Sequence, residues 1–207
     1  MSRTVVLASR NKGKIRELAV LLEPFGVDVR GLDAYPEIGE IEETGSTFAE
    51  NSLLKASTVS KLTGLVAVAD DSGLVVDALG GEPGVYSARY SEENGAPATD
   101  ERNTQKVLAK TAHVADEKRT CRFVSVMAAS APDGSRIVAE GRWEGVLARE
   151  PRGTNGFGYD PVFFDPETGM TAAQMDPARK NARSHRARAC RNLLELWPAF
   201  WDAAGKN

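Results

Sequence analysis

The feature that most constrains this chain is the alternation, through its N-terminal third, of short β-prone apolar runs with stretches of helical periodicity. Residues 4–8 read as a buried strand, closed by the polar run Ser9-Arg10-Asn11-Lys12-Gly13. Ile15, Leu18, Leu21 and Leu22 then recur at helical spacing, which predicts a helix ending near Pro24 or Gly26. A second strand is expected over 27–32, followed by an acidic loop through Glu37, Glu40, Glu42 and Glu43. Thr47-Phe48-Ala49-Glu50 has the form of a capping box and predicts a helix from 48 to about 62, stopped by Gly64. Residues 65–69 form the next strand, which runs directly into Asp70-Asp71-Ser72-Gly73. Strand, helix and strand in this order predict an α/β fold.

Thr99-Asp100-Glu101 marks another helix start. The texture changes over 120–148, where alternating runs at 121–130 and 136–147 flank Pro132-Asp133-Gly134 and predict a β-hairpin. A short late strand is expected at 161–164, and a C-terminal helix from about Ser184, kinked or ended near Pro198. No repeat, low-complexity tract or linker interrupts the chain, so 1–207 is expected to be a single domain, with two lobes around a cleft. The expected architecture is a central twisted mixed β-sheet flanked by helices.

A net charge of −3 on 207 residues argues against wholesale coating of nucleic acid or an anionic membrane, while leaving room for a local basic site. No apolar run has the length of a membrane span or of a signal-peptide core, so a soluble, cytoplasmic protein is expected. Cys121 and Cys190 sit in no C-x-x-C pair, and reduced thiols are the plainer reading.

Four segments carry candidate chemistry. The turn Ser9-Arg10-Asn11-Lys12-Gly13-Lys14 places a strand end against a helix N-terminus, where unpaired N–H groups and the helix dipole favour phosphate. Ser9 and Asn11 add hydrogen-bonding groups and Lys14 a point charge, although the two-glycine P-loop frame is absent. Asp70-Asp71, read as the end of a buried strand, form a carboxylate doublet suited to magnesium or general-base chemistry. Glu40, Glu42 and Glu43 would supply a further ligand if their loop reached the same place, and Lys55 lies on the second helix. The third segment, 153–160, sets Phe157 and Tyr159 among glycines, so that the rings are either presented to a nucleobase or packed in the core. The fourth, 179–191, holds five arginines, Lys180 and His185 with no acid, which suits either a solvated helix face or an anionic ligand.

Taken together, the stretches Ala8-Ser9-Arg10-Asn11-Lys12-Gly13-Lys14, Glu42-Glu43-Thr44-Gly45, Thr47-Phe48-Ala49-Glu50-Asn51, Ala69-Asp70-Asp71-Ser72-Gly73, Pro83-Gly84-Val85-Tyr86-Ser87-Ala88-Arg89-Tyr90, Gly156-Phe157-Gly158-Tyr159-Asp160-Pro161 and Ser184-His185-Arg186 resemble the inosine triphosphate pyrophosphatase family, also called dITP/XTP pyrophosphatases. The resemblance implies two lobes flanking a deep cleft, a homodimer, and magnesium-dependent hydrolysis of ITP, dITP and XTP to monophosphate and pyrophosphate. Such an enzyme cleanses the nucleotide pool of non-standard purines. By the same resemblance Ser9, Arg10, Asn11, Lys12, Gly13, Lys14 and Lys55 would meet the triphosphate. Asp71 would be general base and magnesium ligand, with Glu42 as second ligand. Ser72 would touch substrate, and Phe157, Gly158, Tyr159, Asp160, Lys180, His185 and Arg186 would form the base pocket. Arg10 departs from the commoner Thr-Gly-Asn form of the first motif. Rival readings are a Maf-like pyrophosphatase of modified nucleotides and a non-catalytic nucleotide sensor; a nucleic-acid-binding module is disfavoured.

Overall fold

The computed structural model describes residues 3–93 and 95–204. Its strands are β1 (Arg3–Leu7), β2 (Val27–Gly31), β3 (Val66–Val76), β4 (Thr120–Ser130), β5 (Arg136–Leu147), β6 (Phe163–Asp165) and β7 (Met170–Thr171). The helices are α1 (Lys12–Leu22), α2 (Phe48–Thr63), α3 (Asp100–Lys110), α4 (Pro177–Arg183) and α5 (His185–Ala204). The strands form one seven-stranded sheet in the order β2-β1-β3-β4-β5-β6-β7. β1 pairs in parallel with β2 and β3, whereas β6 is antiparallel to β5 and β7, so the sheet is mixed as expected.

The chain divides into two compact units, and it passes from one to the other within β3, β4, β5 and α5. The first unit runs through Asp71 and adds Val126–Gly141 and the chain from Ala189 onward. Strand periodicity governs its core. Val5, Leu7, Val66 and Val68 meet Leu18 and Leu22 of α1 and Ala189, Leu193, Trp197 and Phe200 of α5. The alternate residues Val6 and Ala67 meet Val59 of α2, and Ala69 meets Ala56. Helices thus cover both faces of β1 and β3, which accounts for strands that read as continuous apolar runs. Each fully buried Leu or Val contributes about 1.5–3 kcal/mol by leaving water. The second unit, Ser72–Ser125 with Arg142–Arg188, has its own core around Leu74, Phe123, Trp143, Tyr159, Phe163 and Met175.

Local signals act where the sequence places them. Thr47 Oγ1 accepts from Glu50 N at 3.1 Å while Glu50 returns to Thr47 N, and Gly64 closes α2 at φ 67°. Three expectations change. β3 does not stop at Asp70 but continues through Ser72 and Gly73 to Val76. The late strand is Phe163–Asp165 rather than 161–164. α5 runs through Pro198 to Ala204, with buried Trp197 and Phe200 on either side packing at 5.5 Å between ring centroids. That aromatic burial offsets the roughly 3 kcal/mol that an interior proline costs a helix.

Candidate active site

In the first unit, the turn after β1 brings Asn11 to the N-cap of α1, where its Oδ1 accepts from Gly13 N at 2.9 Å and Lys14 N at 3.2 Å. Ser9 Oγ accepts from Asn11 N at 3.1 Å. The expectation of unpaired amides is therefore corrected: the turn caps itself, with Gly13 N and Lys14 N already paired to the Asn11 side chain. Arg10 turns away and donates to Ile38 O at 2.7 Å, while Lys12 and Gly13 stay exposed.

Lys14 reaches back to β3. Its Nζ lies 2.9 Å from both carboxylate oxygens of Asp70, whose side chain is only 5% exposed. Successive strand residues face opposite ways, and Asp71 accordingly meets different partners, both from α2. Asn51 Nδ2 donates to Asp71 Oδ2 at 3.1 Å, and Lys55 Nζ lies 3.8 Å from Asp71 Oδ1. Lys55 also donates to Asp70 O at 2.8 Å and to Glu43 Oε1 at 2.6 Å. Two adjacent buried carboxylates thus persist inside a strand because each has its own ammonium. The β1 ladder ends at the Leu7–Val68 pair, so both aspartates lie beyond the carboxyl end of β1, where α/β sheets place ligands.

Asn51 stands in one of the motif stretches, but the sequence assigned it no role. It is fully buried, and its Oδ1 accepts from Gly45 N at 2.8 Å while its amide holds Asp71. Glu43 is the carboxylate that meets Lys55, whereas Glu42, expected as the second metal ligand, is exposed and forms no ion pair among the described residues. No group of three or more His, Cys, Asp or Glu gathers as a ready metal site among the described residues. The hard carboxylate oxygens of Asp71 nevertheless suit magnesium, which takes one or two carboxylates with waters and substrate phosphates completing its shell.

In the second unit, Ser72 is half-buried on β3. Gly73 follows because a side chain there would meet Ser87 Oγ at 2.3 Å, and that hydroxyl is occupied in accepting from Leu74 N. The glycine-rich loop separates its two aromatics: Tyr159 is in the core and donates to Ser87 O at 2.8 Å, whereas Phe157 is 63% exposed. Burial raises the Tyr159 pKa above the ordinary phenol range. Asp160, buried, accepts from Phe157 N at 2.8 Å and from Lys180, whose ammonium stands 4.9 Å from the centroid of the Phe157 ring. Gly156 is required because its φ is 80° and a Cβ would fall 2.0 Å from Asp160 Oδ2. The basic run 179–191 is broken at Ser184 between α4 and α5, and Ser184 Oγ caps α5 by accepting from Ala187 N. His185 stacks on Phe123 at 4.9 Å between centroids, and Arg186 is half-buried beside it in sequence.

Comparison with known proteins bears on what this arrangement belongs to. The model of the Ham1 family matches residues 5–196. The chain belongs to the Ham1 family. This Ham1-family chain is 59% identical over 201 residues to the dITP/XTP pyrophosphatase of Nitratidesulfovibrio vulgaris, covering 96% of this chain and 97% of that protein. It is 48% identical to the dITP/XTP pyrophosphatase of Streptococcus pyogenes over 96% of its own length but spans only 60% of that relative. Its fold superposes on a HAM1 protein from Coxiella burnetii with a TM-score of 0.88 at 43% identity, covering 95% and 99% of the two chains.

Proposed function

We propose that this chain hydrolyses non-standard purine nucleoside triphosphates, ITP, dITP and XTP, to the monophosphate and pyrophosphate, and so cleanses the nucleotide pool. The observation that carries this reading is the pair of buried β3 carboxylates, each met by a lysine beyond the carboxyl end of β1. The 59% identity to a dITP/XTP pyrophosphatase over nearly both full lengths supports it.

In this reading Lys14 and Lys55 leave their carboxylate partners for the triphosphate, with Ser9 and Asn11 binding it at the head of α1. Asp71 accepts the proton of the water that attacks the α-phosphorus, and Asn51 fixes the orientation of its carboxylate. Pyrophosphate then leaves with its charge held by the two lysines. Magnesium, held by Asp71 with Glu42 as second ligand, would neutralise phosphate charge and ease ionisation of the water. Phe157 stacks on the base, Asp160 and Lys180 set that loop with Tyr159 as its anchor, and Ser72 touches the substrate. His185 and Arg186 donate to the 6-oxo group of hypoxanthine or xanthine. An adenine amino group would leave those donors unmatched, a mismatch of the type that discriminates strongly.

A homodimer in the cytoplasm belongs to the same proposal and rests on the family resemblance. No helix among the described residues is long and apolar enough to cross a membrane. The test is pyrophosphate release, with and without magnesium, across ITP, dITP, XTP, ATP, GTP, UTP and dUTP. Selective magnesium-dependent turnover of the first three is expected. Preference for the pyrimidine nucleotides, or binding without turnover, would contradict the proposal.

A further inference from the structure

The exposed ring of Phe157 poses a mechanical question. At 63% exposure it is not held by packing, so its position must come from its backbone and from the Lys180 ammonium above it. The backbone is held from two directions. From within the loop, Asp160 Oδ2 accepts Phe157 N at 2.8 Å and Asp160 N donates to Phe157 O at 3.2 Å. From outside it, Asp100 Oδ2 accepts Gly158 N at 2.7 Å, across a separation of 58 residues. One turn further along α3, Thr104 Oγ1 donates to Gly158 O at 3.4 Å.

Asp100 is the first residue of α3, and a carboxylate there ordinarily needs no partner beyond the helix dipole and first-turn amides. Thr99 already caps the helix by accepting Arg102 N at 3.2 Å, and Glu101 adds a second acid to the first turn. Helix formation therefore leaves Asp100 available for another task. Asp100 and Phe157 also line one depression of about 330 Å³ within the second unit.

We infer that Asp100 is a positioning residue for base recognition: by holding the Gly158 amide from α3 it fixes the Phe157 ring where the nucleobase stacks. The inference rests on the proposed function, in which residues 156–160 meet the base. It assigns to α3 a part in substrate selection that neither the motif stretches nor the basic run contains.

The experiment combines steady-state kinetics on dITP with backbone amide exchange followed by NMR, for wild type, Asp100→Ala, Asp100→Asn, Phe157→Ala and Asp100→Ala/Phe157→Ala. Loss of the acceptor in Asp100→Ala is expected to raise KM about 3- to 10-fold with kcat unchanged, the size of one ordinary hydrogen bond. Asp100→Asn keeps an acceptor oxygen and should remain close to wild type. In the Phe157→Ala background the same change should have no further effect on KM, because the ring it positions is gone. Exchange at Gly158 should quicken in Asp100→Ala while the α3 interior amides stay protected. A wild-type KM in Asp100→Ala, a fall confined to kcat, or an equal KM change in the Phe157→Ala background would overturn the inference. Unaltered Gly158 exchange would also overturn it. If wild type itself releases no pyrophosphate, the functional reading fails, whereas the exchange data still decide whether Asp100 holds the loop.

Discussion

Replacing Lys14 by methionine keeps most of the side chain's bulk and removes the ammonium that lies 2.9 Å from both oxygens of Asp70. At that separation two unit charges attract by about 6 kcal/mol at an effective dielectric near 20. The Lys14 side chain is 28% exposed and that of Asp70 is 5% exposed, so water screens one partner and desolvation opposes the other. The net loss should therefore be about 2–4 kcal/mol, at or below the cost of breaking a fully buried pair. In a chain of this length that lowers the melting temperature by roughly 5–15 °C. Adding Asp70→Asn removes the stranded carboxylate, and the double variant should recover stability to within about 1 kcal/mol of wild type. Activity should not recover with it. A lost charge-assisted phosphate contact lowers kcat/KM for dITP by about 10- to 100-fold, whether or not the fold is restored. Calorimetry and pyrophosphate release on the four proteins of this cycle separate the two roles. A Lys14→Met melting point within about 2 °C of wild type would refute the stability argument. Wild-type kcat/KM in the double variant would refute the phosphate role.

Other consequences follow from the same geometry. Gly156→Ala places a methyl against the doubly bonded Asp160 carboxylate at a φ of 80°; a loss of about 2–4 kcal/mol in chemical denaturation and a raised KM for dITP are expected. Arg186→Ala should narrow the preference for ITP over ATP in kcat/KM, and an unchanged ratio would remove Arg186 from the selectivity account. Burial pushes the Cys121 thiol up to about 12, above its value in the unfolded chain. The unfolded chain thus loses this proton first: the contribution is complete below about pH 8.5 and is lost as pH rises toward the folded value, by about 1.4 kcal/mol per pH unit. Urea denaturation between about pH 8.5 and about pH 10, below the ordinary phenol range, should show this slope in wild type and not in Cys121→Ala.

The parts of the fold that were legible in the sequence are those with local causes. The capping box of Thr47 and Glu50 and the left-handed Gly64 mark both ends of α2. The alternation around 132–134 gave β4 and β5 nearly to the residue. What escaped depends on partners distant in sequence. Two adjacent aspartates look like the end of a strand until Lys14, 56 residues away, and Asn51, 20 residues away, are seen to meet them. Asn51 carries no local signal of its role, because an amide on a helix is ordinary until its burial is known. Phe157 and Tyr159 are two positions apart in one glycine-rich loop, and only packing separates the presented ring from the buried one. Glu42 and Glu43 likewise differ by a single step of an irregular loop, and pattern alone does not say which one Lys55 meets.

The central claim, attack of water on the α-phosphorus with pyrophosphate as leaving group, is tested most directly by isotope labelling. Hydrolysis of dITP in water enriched in heavy oxygen, followed by mass spectrometry of both products, locates the bond that breaks. The account predicts one labelled oxygen in the monophosphate, none in the pyrophosphate, and no label transfer by Asp71→Asn. Label in pyrophosphate, or release of inorganic phosphate with the diphosphate remaining, would contradict it.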